Sequence, residues 1–391
     1  MVSSNLIVGT RRLEIDGLRA LAIMLVMWWH SSIWAYEISA NPLNDLFIDA
    51  YVLISILGSS GVTLFFIISG FLITGILIDT SSDPQCLRKF YIRRSLRVFP
   101  LYYVALCLFL ILSIIYIDEY EISFDSLAYF LYVQNWIAIF DFSYNPIGDD
   151  KNEFLEHFWS LAIEEQFYLV WPVFFLFMYK KFNSATIILS LLSIIFFSAL
   201  LRFNMVYMEG VSWAIPYTWT ITRFDSLVMG GLLIYAVKKK YKIIDIIKKY
   251  SHMLMGLLLF SAIIILFRNE IFIVNVSYIV FLSGLFYVLL IIHLSGKSEL
   301  SNRLFNNRLV QNIAKVSYGL YIFHLPVMRI LQDFLMPYEL GFWSNHFIIL
   351  FFGFFISFVI SQLSYKYFEN PILKLKGKYA GYAKSTTAKY R

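Results

Sequence analysis

Arg19 and His30 bracket the wholly apolar run from Ala20 to Trp29. Eleven residues are close to three helical turns, so a helix carries both side chains on one face with about 16.5 Å of rise between them. Asp16 falls near the same face. An imidazole part-way along an apolar span, with a cation and a carboxylate near the start of that span, has the parts of a proton-transfer or nucleophilic site approached from one side. The alternative is a histidine hydrogen-bonded between packed helices.

A second set of candidates is Arg93-Arg94-Ser95-Leu96-Arg97, in a segment from Arg88 to Pro100 that reads as a loop. On a helical turn the i,i+3 and i,i+4 spacings gather Arg93, Arg94 and Arg97 into one cationic patch. Forked guanidinium groups match phosphate oxygens. The same charges also suit a plain positive-inside stop signal.

Helical periodicity aligns His157, Ser160, Glu164, Tyr168 and Trp171 as a polar and aromatic stripe on a further apolar span. Glu165 is turned about 100° away, so the two carboxylates are not expected to share one task. Glu164 can orient and charge-stabilise His30, as a carboxylate does for a catalytic imidazole, or form a helix-packing salt bridge. Arg223, in Thr222-Arg223-Phe224-Asp225, can hold an anionic or hydroxylated ligand, or neutralise Glu164 or Asp225. Ser317, Tyr321 and His324 align on a later span, with His324 either a second buried base or a hydrogen-bonded core histidine. Gly58-Ser59-Ser60-Gly61 and Ser69-Gly70-Phe71 read as surfaces for close helix approach. Glu369-Asn370-Pro371 reads as a cap or interface anchor. No Walker A sequence is present, and two cysteines, Cys86 and Cys107, support neither a disulfide framework nor a thiolate metal cluster, so no metal is expected.

The elements that must position these residues are membrane helices. The chain has 391 residues, of which 59% are hydrophobic and 15% charged, with a mean hydropathy of +0.69, which excludes an ordinary soluble enzyme. Apolar runs predict an all-α polytopic protein with spans at about 17–36, 57–79, 98–117, 157–179, 184–201, 214–237, 252–268, 271–293, 313–335 and 346–368. The shorter run 126–140 is flanked by Asp118, Glu119, Glu121 and Asp125 and by Asp141, Asp149 and Asp150. It reads as re-entrant or interfacial. Most of the 32 basic residues fall in alternate connections, which predicts that both termini are cytoplasmic. The first span is expected to stay as an anchor, because no small-x-small cleavage site follows His30. Residues 1–370 form the expected transmembrane domain and 371–391 a basic cytoplasmic tail. The net charge of +6 follows from this topology and calls for no nucleic-acid partner.

Several motifs, in order along the chain, resemble the membrane-bound acyltransferase family 3. They are Asp16-Gly17-Leu18-Arg19 with His30, Gly61-Val62 through Ser69-Gly70-Phe71-Leu72, Arg94-Ser95-Leu96-Arg97 with Pro100, Trp159-Ser160-Leu161 through Glu164 and Gln166-Phe167-Tyr168, Ser317-Tyr318-Gly319 with His324, and Glu369 with Pro371. The resemblance implies a ten-span core in a bacterial inner membrane and an acyl-CoA donor, usually acetyl-CoA. It also implies O-acylation of a glycan or lipid-linked sugar, with the arginine-x-ten-histidine pair and the double-arginine segment as functional signature. On this expectation His30 and Glu164 are catalytic and Arg19, Arg93, Arg94 and Arg97 bind the donor. Asp16, Tyr168, Trp171, Arg223, Ser317, Tyr321 and His324 support or bind substrate. The chain shows no appended extracytoplasmic hydrolase-like domain, which favours an O-antigen or exopolysaccharide unit over peptidoglycan. Acylation of a small molecule such as a macrolide stays open, as do a succinyl or longer donor, an acyl-histidine step and the oligomeric state, a homodimer included. The rival class is a proton-coupled secondary transporter using the same intramembrane His, Glu and Arg.

Overall fold

A computed structural model describes residues 13–39, 46–117, 124–140, 153–208, 211–212, 214–267, 272–295, 305 and 307–380. All regular structure among them is helical: α1 (Leu13–Glu37), α2 (Leu46–Ser55), α3 (Ser60–Thr80), α4 (Cys86–Tyr116), α5 (Phe124–Ala128), α6 (Gln134–Phe140), α7 (Phe158–Lys181), α8 (Ser184–Val206), α9 (Ala214–Thr218), α10 (Thr220–Lys238), α11 (Ile243–Phe267), α12 (Phe272–Leu294), α13 (Arg308–Leu335), α14 (Phe342–Ser364) and α15 (Asn370–Tyr379). Among the described residues nine helical stretches are long and apolar enough to cross a membrane. The tenth expected span, 313–335, lies within α13, a 28-residue helix. Its Gln311, Lys315, Ser317, His324, Arg329 and Asp333 make it too polar to stand with the nine. Arg11, Arg12, the acidic residues at 118–121 and 141–150, and the tail from 381 lie outside the described residues.

Burial separates inner from outer helices. In the most apolar stretch of Leu46–Thr80, 72% of residues are buried, and in Ala214–Lys238 78%, against 17% in Ile243–Leu266. The outer helices turn large apolar side chains outward, including Leu189, Phe196, Phe260, Phe351 and Phe355. Such a belt is untenable in water and ordinary in lipid. The centre is built from α3 packed on α10 and from α13 packed on α1 and α14.

The approach of α3 to α10 depends on two glycines. A Cβ on Gly70 would lie 1.8 Å from the Leu227 carbonyl oxygen, and one on Gly230 would lie 2.0 Å from that of Ile67. Each backbone fills the space where the other helix would carry a side chain, so the close-packing role expected of Ser69-Gly70-Phe71 holds for Gly70.

One expectation about local structure changes. The segment from Arg88 to Pro100 is not a loop: α4 begins at Cys86 and runs through Pro100, so its arginines are carried on a helix. The run 126–140 forms two short helices, α5 and α6, and the side chain of Gln166 on α7 holds it. Gln166 Oε1 accepts from Trp136 Nε1 at 2.9 Å, while its Nε2 donates to the Tyr132 carbonyl at 2.6 Å and to Asn135 Oδ1 at 3.0 Å.

Candidate active site

His30 on α1 meets His324 on α13, with Nδ1 of the first 3.2 Å from Nε2 of the second. The tautomers follow from the partners. His324 Nδ1 lies 2.7 Å from the Tyr321 carbonyl, which can only accept, so this nitrogen carries a hydrogen. In the neutral ring Nε2 is then the acceptor, and His30 Nδ1–H donates to it. The lone pair of His30 therefore sits on Nε2, which no protein group among the described residues engages. Trp34, one turn along, stacks on the His30 ring at 5.4 Å between centroids.

A third imidazole completes the cluster. The His157 ring centroid is 5.3 Å from that of His324. Its Nε2 donates to the Ile322 carbonyl at 2.9 Å, which leaves Nδ1 as a buried lone pair without a partner among the described residues. The periodic stripe on α7 contained His157, but its spacing alone could not show a neighbour more than 160 residues further along the chain.

Glu164 does not orient His30. Ser69 donates to it at 2.5 Å, and Tyr168 in turn donates to Ser69 at 3.0 Å. Arg94 reaches up from α4 and lies 3.6 Å from both Glu164 and Glu165, with its guanidinium 3.5 Å above the Tyr168 ring. The two carboxylates, expected to act apart, share one cation. The reason is reach: a long arginine on a facing helix covers the angle that separates i from i+1 on α7. Ser69 was legible only as a small packing residue, and its hydroxyl is what joins α3 to this network.

Between these groups lies a cavity with an empty volume of about 740 Å³, lined by Arg19, Ser69, Arg94, Arg97, Glu164 and Tyr321 among others. It runs from the end of the bundle where α3 gives way to α4 towards the opposite end, where Val62 and Ser160 line it near the starts of α3 and α7. Ser160 and Tyr321 share a 2.5 Å hydrogen bond there, and the Tyr321 ring is 5.4 Å from His324. The cavity thus stops one aromatic ring short of the histidines. Ser317 also lines it, with a buried hydroxyl that has no partner among the described residues.

The remaining candidates fall outside the cavity. Arg93 donates to the Ala380 carbonyl at 3.1 Å, on the far side of the arginine turn. Trp171 is a core residue: its Nε1 donates to Thr74 at 2.8 Å and its ring stacks on Phe167. Asp16 lies one turn before Arg19 on α1. Among the described residues Arg223 makes no direct ion pair with Glu164 or Asp225. It is fully buried, donates to Thr63 at 3.0 Å and packs between the rings of Tyr217 and Phe66. Asp225 is paired instead with Arg202 on α8 at 2.7 Å, an ion pair the linear spacing concealed.

Comparison with known proteins agrees with this architecture. The chain is 28% identical over 373 residues to the peptidoglycan O-acetyltransferase OatA of Listeria monocytogenes, covering 92% of this chain and 56% of that protein. It is 30% identical over 380 residues to the O-acetyltransferase OatA of Staphylococcus aureus, covering 92% and 57%. It is 26% identical to the putative peptidoglycan O-acetyltransferase YrhL of Bacillus subtilis, covering 92% and 54%. The chain therefore spans a little over half the length of these relatives. No solved structure matches it. The family profile described as an acyltransferase domain matches residues 12–366, which takes in every motif named above except Glu369 and Pro371, and the chain belongs to the membrane-bound acyltransferase family 3.

Proposed function

We propose that this chain is an O-acetyltransferase that carries an acetyl group from cytoplasmic acetyl-CoA, through the bundle, to a hydroxyl of a cell-envelope glycan. The observation that carries the reading is one cavity with Arg19 and Arg97 at one end and the Ser160–Tyr321 pair beside His324 at the other. Guanidinium groups suit the phosphates of the donor. The thin pantetheine arm suits the path between, since Arg19 and His30 are separated by about 16.5 Å along α1.

In this reading ten helices cross the inner membrane of a bacterium, α13 among them, with both termini in the cytoplasm. His30 Nε2 takes the proton of the acceptor hydroxyl as its oxygen bonds to the acetyl carbon. The carbon–sulfur bond breaks, and CoA leaves as a thiolate that the same proton neutralises. In the covalent variant Nε2 first bonds the acetyl carbon and CoA departs as a thiolate; the hydroxyl oxygen then displaces Nε2, which takes the hydroxyl proton and passes it to the thiolate. Glu164, tied to Ser69 and Arg94, shapes the donor path rather than the base.

We put peptidoglycan first among acceptors, ahead of a lipid-linked O-antigen or exopolysaccharide unit, because two of the relatives carry it in their names. The test uses purified chain in proteoliposomes with radiolabelled acetyl-CoA, offered peptidoglycan fragments or lipid-linked sugar on the opposite side. Labelled, base-labile ester with matching release of CoA supports the reading, and the acceptor that gains label identifies the glycan. Intact acetyl-CoA with every acceptor, alongside proton-coupled uptake of solute, would put the chain among transporters instead.

A further inference from the structure

A second cavity, with an empty volume of about 500 Å³, adjoins the first and shares Arg19, Arg97 and Tyr318 with it. Its other walls are Lys315, Tyr365, Glu369, Leu373 and Lys376. Four cations thus surround one space with a single carboxylate. That carboxylate, on Glu369, also accepts from Ser364 at 3.2 Å. Among the described residues no carboxylate lies within ion-pair distance of Arg19, Arg97, Lys315 or Lys376. Lys315 instead sits 4.4 Å above the Tyr365 ring. Like charges gathered round a concave space raise its potential and concentrate anions there. The contrast with Arg94 is direct, because Arg94 already has two carboxylates beside it.

The backbone is arranged to build this wall. Between α14 and α15 the chain makes a π-helical turn from Tyr365 to Glu369, and both of its end residues face the cavity. Such turns widen a helix locally and recur at functional sites. The short helix α15 then packs on α4 and supplies Leu373 and Lys376. Glu369, Leu373 and Lys376 all lie beyond residue 366, where the family match ends.

We propose that this cavity binds the phosphorylated nucleotide end of the donor, with Lys315 and Lys376 joining Arg97 and Arg19 on its phosphates, and that α15 is part of the donor site rather than a tail. The proposal rests on the CoA-donor reading above. The arrangement divides the donor in two: the nucleotide occupies the smaller cavity, and the arm threads past Tyr318 into the larger one.

The experiment measures binding of CoA, 3′-dephospho-CoA and adenosine 3′,5′-bisphosphate to the full chain in lipid nanodiscs. It compares wild type, Lys376→Gln, Lys315→Gln and, as a control on the same helix but outside the cavity, Lys374→Gln. Wild type is expected to bind CoA about tenfold more tightly than the dephospho form. Lys376→Gln and Lys315→Gln are each expected to weaken CoA about fivefold to tenfold and to narrow that preference, while Lys374→Gln behaves as wild type. If wild type binds CoA but neither cavity variant changes its affinity or its preference, the nucleotide site is elsewhere and the donor reading survives. If wild type binds no CoA, both fall. Discs of phosphatidylcholine alone and with phosphatidylglycerol separate a nucleotide from a lipid headgroup. Displacement of phosphatidylglycerol only from wild type, with no competition by the bisphosphate, would make the cavity a lipid site and overturn the proposal.

Discussion

Nδ1 of His30 donates to Nε2 of His324 across 3.2 Å, and His324 is itself fixed by the Tyr321 carbonyl at 2.7 Å. The pair joins α1 to α13 and leaves one defined lone pair, on His30 Nε2. In the proposed reaction His324 is then a positioning residue: it would hold the ring of His30 and its tautomer, the task a buried carboxylate performs in hydrolytic triads. His324→Ala is expected to lower the rate of acetyl transfer about 10²-fold to 10³-fold with little change in the KM for acetyl-CoA. His324→Gln, whose amide oxygen can accept the same hydrogen, is expected to recover part of it. Equal loss in both variants, with a raised KM, would show that His324 serves donor binding instead.

Arg94 bridges Glu164 and Glu165 at the waist of the cavity. A double-mutant cycle of Arg94→Gln and Glu164→Gln, read by thermal unfolding of the detergent-solubilised protein, is expected to give a coupling of about 1–3 kcal/mol. Strictly additive changes would mean that the three charges are merely neighbours.

Gly70 and Gly230 set the distance between α3 and α10. Either Gly→Ala change forces two backbones apart and is expected to destabilise by about 3 kcal/mol or more, lowering the melting temperature and the folded yield. Gly256, with nothing within 4 Å of a built Cβ, is the matched control, and its alanine variant is expected to be neutral or slightly stabilising. An unchanged melting temperature for Gly70→Ala would contradict the packing described.

Gln166 makes its three contacts to the 124–140 segment from one side chain. Gln166→Leu keeps the volume and removes the hydrogen bonds. Amide hydrogen exchange is expected to speed up across residues 129–140 with little effect on α3 or α10. Exchange unchanged in that segment would show that apolar packing alone retains it.

How much of this was legible in sequence depends on how far each relationship reaches along the chain. Apolar runs located α1, α7, α8 and α10 to within a few residues, because a membrane helix states its own length. They misplaced the start of α4, where Arg88 to Arg97 look like a loop by hydropathy although they continue the same helix inward. The stripes on α7 and α13 contain His157, Glu164, Ser317, Tyr321 and His324. Periodicity describes one helix at a time, however, and says nothing of which stripe faces which. Taken one helix at a time, Glu164 is a candidate partner for His30, whereas the fold gives His30 a partner 294 positions away and gives Glu164 to Ser69 and Arg94. Lys315 and Lys376 were visible only as inward positive charge. Nothing in their spacing signals that a π-turn brings both to one cavity.

The central claim is that the lone pair on His30 Nε2 performs the transfer. The most direct measurement compares wild type, His30→Ala and His30→Gln, purified in nanodiscs and supplied with acetyl-CoA and glycan acceptor, following CoA thiol release and ester formation together. Both variants are expected to keep the wild-type affinity for CoA and to lose transfer by about 10²-fold to 10⁴-fold. Transfer at the wild-type rate by His30→Ala would contradict the account.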